Sequence, residues 1–186
     1  MLGLTDEQLV LYAASAGIVV YGAILYGLAR LSGWASLGHV YPANDTFLGT
    51  KNFAASARFK RFAWFPANYS SVLIVGVNAY SVYFSVWLPF RPFHPPLSIP
   101  IADIRGTEKS SELFKHLPEK WRERMSARLS KRVSAGEVEL SFTRAPDVTI
   151  VISAKLADWI AEETRGNWTY ARAYAAKTSA PLTHSG

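Results

Sequence analysis

Four histidines, His39, His94, His116 and His184, are the residues best suited to acid–base or metal chemistry in this sequence. None has another histidine or a carboxylate at metal-ligand spacing, so the sequence carries no metal motif. His94, set between Phe93 and Pro95, reads as a structural residue. Asp103 lies at a strand end and Asp158 in a terminal helix, and neither pairs in sequence with a second carboxylate for general acid–base work. The chain has no cysteine, which rules out disulfides, thiolate catalysis and cysteine-based metal sites. It also lacks a G-x-S-x-G elbow, a phosphate loop and a Gly-rich dinucleotide turn. The expectation is a chain with no catalytic centre, no cofactor and no metal.

Binding chemistry is better represented. Leu113, Leu117, Trp121, Met125, Leu129 and Val133 follow one another at four-residue steps, which predicts a helical insert over 107–135, begun or interrupted near Pro118. Between residues 105 and 133, nine basic side chains stand against four acidic ones, most of the chain's +6. Lys120, Arg122, Arg124, Arg128, Lys131 and Arg132 form a candidate surface for anionic lipid or for a partner protein. The same pattern also suits a helix whose apolar stripe covers the domain while its charges face water. Nucleic acid is not an expected partner, because the chain shows no known binding module and reads as tethered at a membrane.

The tether is residues 9–29, LVLYAASAGIVVYGAILYGLA, free of charge and long enough to cross a bilayer core. Thr5 and Gln8 make a capping box ahead of it, and Asp6 and Glu7 add negative charge where the helix dipole favours it. Residues 1–8 hold no Lys or Arg, whereas Arg30, Lys51, Arg58, Lys60 and Arg61 follow the span. The positive-inside rule therefore predicts an N-terminus outside and a domain in the cytoplasm, at an inner (cytoplasmic) membrane. With no positive n-region the helix is expected to stay as an anchor over residues 1–31. Ala13, Ala16, Gly17, Ala23 and Gly27 provide small side chains against which a neighbouring helix could pack in lipid.

After the span, residues 32–52 read as a short juxtamembrane helix, with Trp34, Leu37 and Tyr41 on one side, then a turn-rich connector. Strand-like stretches follow at 55–65, 71–77, 80–88, 97–104, 137–143 and 148–153, with Pro100 confined to an edge or bulge. Ser153 caps a final helix in which Leu156, Trp159, Ile160 and Glu163 face the strands, and Gly166 closes it. Several strands and one terminal helix over 53–166 predict an α+β fold, a pleckstrin-homology-like barrel or sandwich with a capping helix.

Gly33, Trp34 and Leu37 after a single span, then His94, Pro95, Pro96, Leu97, Ile99 and Pro100, carry a resemblance over about residues 9–165. The chain resembles an uncharacterised bacterial family of membrane-anchored PH/GRAM-like proteins, with Ile101 where that family has a tryptophan. The resemblance implies the fold and the anchor, and no activity.

Residues 167–186 show no core pattern, and Trp168, Tyr170 and Tyr174 read as contacts for a partner. Small-faced span, basic insert and aromatic tail together predict a non-catalytic accessory subunit stabilising a larger membrane complex, respiratory, photosynthetic or transport, whose partners are integral membrane subunits. The alternative is a membrane-anchored domain that senses anionic headgroups.

Overall fold

A computed structural model describes residues 5–43, 46–109 and 136–171. Of the helical insert expected over 107–135, residues 107–109 are strand instead, paired in an antiparallel ladder, and residues 110–135 lie outside the described residues, as does Tyr174. Helix α1 runs Asp6–Ser32 and is long and apolar enough to cross a membrane. Its capping box forms as the sequence predicts. Thr5 Oγ1 accepts from the Gln8 backbone, and Gln8 Oε1 accepts from the Thr5 backbone. The helix ends at Gly33, whose φ of +88° belongs to the left-handed region. A Cβ there would also stand 2.7 Å from Val148, so this sharp corner needs glycine for two reasons.

The corner redirects the chain into α2, Trp34–Val40, whose inward residues are Trp34 and Leu37, followed by Tyr41. All three are essentially inaccessible, as their spacing predicts. They roof a sheet.

That sheet has eight strands among the described residues, in the order β4-β3-β2-β1-β7-β6-β5-β8. The strands are β1 Thr50–Phe62, β2 Phe65–Val77, β3 Ser81–Val86, β4 Leu97–Pro100, β5 Ile104–Lys109, β6 Glu137–Phe142, β7 Thr149–Ser153 and β8 Tyr170–Ala171. All neighbours are antiparallel except β5 and β8, which run parallel. One continuous sheet curls into a half-barrel. Its concave face is the core, where Phe59, Leu73, Val75, Phe84, Leu97, Leu140 and Ile150 meet. Pro100 lies on the edge strand β4, where its missing N–H breaks no ladder.

The long β1–β2 hairpin differs from the sequence reading. Residues 55–65 do not form one strand, because Phe62 pairs with Phe65 and the chain reverses through Ala63 and Trp64. The alternation Phe59, Ala63, Phe65 runs straight across this turn, and no Gly or Asn marks it. Register shifts near Asn52/Ala55, with Ala54 and Ser71 at φ of +58°, add the bends that long arms need in order to curl.

Helix α3, Ala154–Glu163, starts where the Ser153 hydroxyl accepts from the Leu156 backbone at 3.3 Å. Leu156, Ala157 and Ile160 are buried, on the side that packs against β6 and β7. The chain does not leave the domain at Gly166. Trp168 is 4 % exposed, its indole N–H donates to the Ile104 carbonyl at 3.2 Å, and β8 then extends the sheet edge. The Tyr170 hydroxyl donates to Asp158 at 2.7 Å. Trp168 and Tyr170, expected as contacts for a partner, both touch the chain's own domain: a Cβ on Gly106 would stand 2.8 Å from the Trp168 ring and 2.7 Å from Tyr170 Cβ.

Candidate functional site

The polar groups that converge most closely lie at the α1–α2 corner. Ser32, at the last turn of α1, places its hydroxyl 3.2 Å from the Tyr69 oxygen of β2. Tyr69 is 2.9 Å from His94 Nε2, and His94 Nδ1 is 3.1 Å from the Pro92 carbonyl. A carbonyl only accepts, so Nδ1 carries the proton and Nε2 is the acceptor. Tyr69 therefore donates to His94, Ser32 donates to Tyr69, and Ser32 Oγ accepts the Trp34 backbone N–H at 3.2 Å.

This chain of hydroxyls and imidazole is sealed. Ser32 and His94 are wholly buried and Tyr69 is 3 % exposed. Burial pushes the Tyr69 phenol up to about 12 and holds the His94 imidazole below its ordinary value, against the weaker pull of the Pro92 and Phe90 carbonyls. Trp34, Phe59 and Tyr69 pack ring against ring within 4.9 to 5.4 Å, and Trp34 stands 5.4 Å from His94. Among the described residues no buried side-chain nitrogen or oxygen lacks a partner, so none is left aimed at a ligand. A serine, a tyrosine and a histidine stand in line here, each buried and each with a hydrogen-bond partner among the described residues. They act as a clasp between helix and sheet.

The clasp also brings together two segments far apart in sequence. The Trp34 indole N–H donates to the Pro95 carbonyl at 2.8 Å, and a Cβ on Gly38 would meet the Pro95 ring at 2.8 Å. The Gly33–Leu37 and His94–Pro100 stretches are thus one packed unit. Comparison with protein-family models, curated proteins and solved structures finds no match.

Elsewhere, Ala13, Ala16, Gly17 and Ala23 are exposed on α1 and Gly27 is half-buried. Nothing lies within 4 Å of a Cβ built on Gly17 or Gly27. Asp103 is held by Arg144 at 2.6 Å, and that guanidinium also lies 4.5 Å over the Tyr41 ring, which makes Asp103 a brace for α2. His39 is exposed on α2, while His116 and His184 lie outside the described residues. Among the described residues no three His, Asp or Glu side chains gather. An open cavity of about 660 Å³ lies on the outer, convex side of β2 and β3. Sequence reasoning missed it, because it joins Lys51 and Phe53 to the distant Trp87–Arg91 loop. The only sequence signal was the cluster of large apolar residues around Pro89 and Pro92.

Proposed function

We propose that this chain is a non-catalytic accessory subunit of a larger membrane complex, with α1 crossing the bilayer and a PH-like domain on its cytoplasmic side. The observation that supports this reading is the bareness of α1. Only 6 % of its most apolar stretch is buried within the chain, and Val10, Leu11, Ile18 and Val19 are each about 70 % exposed. Apolar surface of that extent needs lipid or another helix to cover it. The small residues from Ala13 to Gly27 allow a close helix neighbour, because in lipid such contacts depend on backbone approach rather than on a hydrophobic drive. The clasp contributes by joining the helix stiffly to the half-barrel, so that the domain's position follows that of the span. The runner-up, headgroup sensing by Lys120, Arg122, Arg124, Arg128, Lys131 and Arg132, has the support of their charge pattern alone.

Purification from native membranes in mild detergent tests the subunit reading. Co-migration with a defined complex, weakened by Ala16→Leu or Ala23→Leu, is the expected outcome. A chain that runs alone at 20.6 kDa plus detergent, with both variants indistinguishable from wild type, overturns it.

A further inference from the structure

Strand β3 ends at Val86, and the chain continues as WLPFRPF, residues 87–93. Trp87, Leu88 and Phe93 are 48, 77 and 51 % exposed, a concentration of bare apolar surface in one short loop. The loop leans on α1. The Tyr21 hydroxyl donates to the Pro89 carbonyl, a Cβ on Gly22 would stand 4.0 Å from the Phe93 ring, and that ring meets Tyr26 edge-on at 5.6 Å. Further along, Leu25, Ala29 and Ser32 are buried. One side of α1 is thus covered from Tyr21 to its end.

Helix length fixes what this means in a membrane. A helix rises about 1.5 Å per residue, and the hydrocarbon core of a bilayer is roughly 30 Å thick. Ahead of Tyr21, α1 offers residues 6–20, about 22 Å even with its charged first turn counted. A bilayer around α1 must therefore overlap the stretch beside the loop by about 8 Å or more, and a tilted helix needs a greater overlap.

A loop can enter that layer only with its backbone satisfied, because hydrocarbon offers no hydrogen bonds. Trp87 donates its N–H to the Val72 carbonyl at 3.1 Å, Phe90 to Trp87 at 2.9 Å and Arg91 to Leu88 at 3.2 Å, around a 3-10 turn at Leu88–Phe90. Pro89 and Pro92 have no N–H to satisfy, and their carbonyls accept from Tyr21 and His94. Residues 87–93 hold no carboxylate and no lysine, and Arg91 is half-buried and engaged within the chain.

We infer that residues 87–93 are set into the leaflet on the domain's side, as a second contact with lipid acyl chains beside α1. The inference rests on the reading of α1 as membrane-spanning. Tryptophan is at home at the boundary of headgroup and hydrocarbon, and Leu88 and Phe93 are covered there by lipid instead of water. The clasp ties this loop to the helix, since Phe93 and His94 are consecutive and His94 is bonded to Tyr69. Two lipid contacts at fixed spacing set the tilt of the half-barrel over the membrane, which a single span does not.

The chain has no cysteine, so one introduced thiol gives one label. Leu88→Cys, Val19→Cys and Tyr80→Cys, all at exposed positions, each carry a nitrobenzoxadiazole label on the full chain in phosphatidylcholine vesicles. Part of the lipid is brominated on its acyl chains to quench labels it touches. Val19 reports on the span. Tyr80 precedes β3 and Leu88 follows it, which separates them by about 20 Å of strand. The labels at 19 and 88 should lose most of their emission and the label at 80 none, with bromine near the headgroup end of the chain the stronger quencher at 88. Should Leu88→Cys not fold, Trp87→Cys labels the same loop. Quenching at 19 with none at 88 overturns the inference and leaves the span standing. Equal quenching at 88 and 80 overturns it as well. A label at 88 that is shielded from water yet unquenched marks a second copy of the chain over the loop, and also overturns it. No quenching at 19 overturns the span reading and the inference together.

Discussion

Tyr69→Phe removes a single oxygen from the clasp, and its cost follows from the hydrogen-bond order. His94 Nδ1 is occupied by the Pro92 carbonyl, so Nε2 has Tyr69 as its donor at 2.9 Å. Without the phenol, a fully buried acceptor is left unpaired, which costs roughly 1–3 kcal/mol. Ser32 loses less, because its hydroxyl can turn to the Ala29 carbonyl at 3.4 Å. The phenyl ring still fills the space beside Trp34 and Phe59, so no cavity term is added. About 2 kcal/mol is the expected loss, and for a chain of this size that corresponds to roughly 4–8 °C in thermal midpoint. Thermal unfolding of the full chain in detergent, followed by circular dichroism, reads this directly. A double-mutant cycle with His94→Phe separates the orphaned acceptor from general damage: with the imidazole gone there is nothing to orphan, and the two losses should fall short of additive by about 1 kcal/mol or more. A midpoint for Tyr69→Phe within about 1 °C of wild type would refute the donor order.

The clasp also makes stability depend on pH. Burial lowers the His94 pKa below its ordinary 6.5, so between that value and the folded one the unfolded chain binds more protons. Stability from this group is complete above about 6.5 and declines as the pH falls. The wild-type midpoint should therefore drop more than that of His94→Phe between pH about 7.5 and about 5.5, and parallel curves would contradict the assignment. Trp168→Ala should cost about 3–5 kcal/mol, as for a buried aromatic. Tyr170→Phe loses one hydrogen bond and should cost about 1 kcal/mol. Thermal midpoints of both variants check this, and a silent Trp168→Ala would mean that the segment after Gly166 is not docked.

Much of this architecture can be read from local pattern. The capping box at Thr5 and Gln8, the Trp34–Leu37–Tyr41 face, the edge position of Pro100 and the Ser153 cap depend on neighbours within a few residues, and each forms as expected. The β1–β2 turn escaped because Ala63 and Trp64 carry no turn chemistry while the apolar alternation continues through them. Trp168 and Tyr170 escaped for a different reason: two aromatics in a polar segment have no period, and what buries them is the hollow above Gly106, more than sixty residues away. The clasp is harder still, since Ser32, Tyr69 and His94 come from three separate elements. His94 could be read as structural from its proline neighbours, but not as the acceptor of a tyrosine. The cavity beside residues 87–91 depends on the curl of the sheet and on the path of the loop after β3, neither of which any short window encodes.

Strands β5 and β6 have a further consequence for how this molecule can be altered. Their ladder ends at the pair Lys109 and Glu137, so the chain leaves the sheet and returns to it at neighbouring positions. The intervening stretch is a detour from a hairpin rather than a link between distant parts. It contains Lys115, Lys120, Arg122, Arg124, Arg128, Lys131 and Arg132 against Glu112, Glu119 and Glu123, so seven minus three gives +4 of the chain's +6. Most of the net charge of this molecule thus falls between the two strands of one ladder. Any change of charge within that stretch therefore enters the molecule at one place on the sheet, between residues 109 and 137.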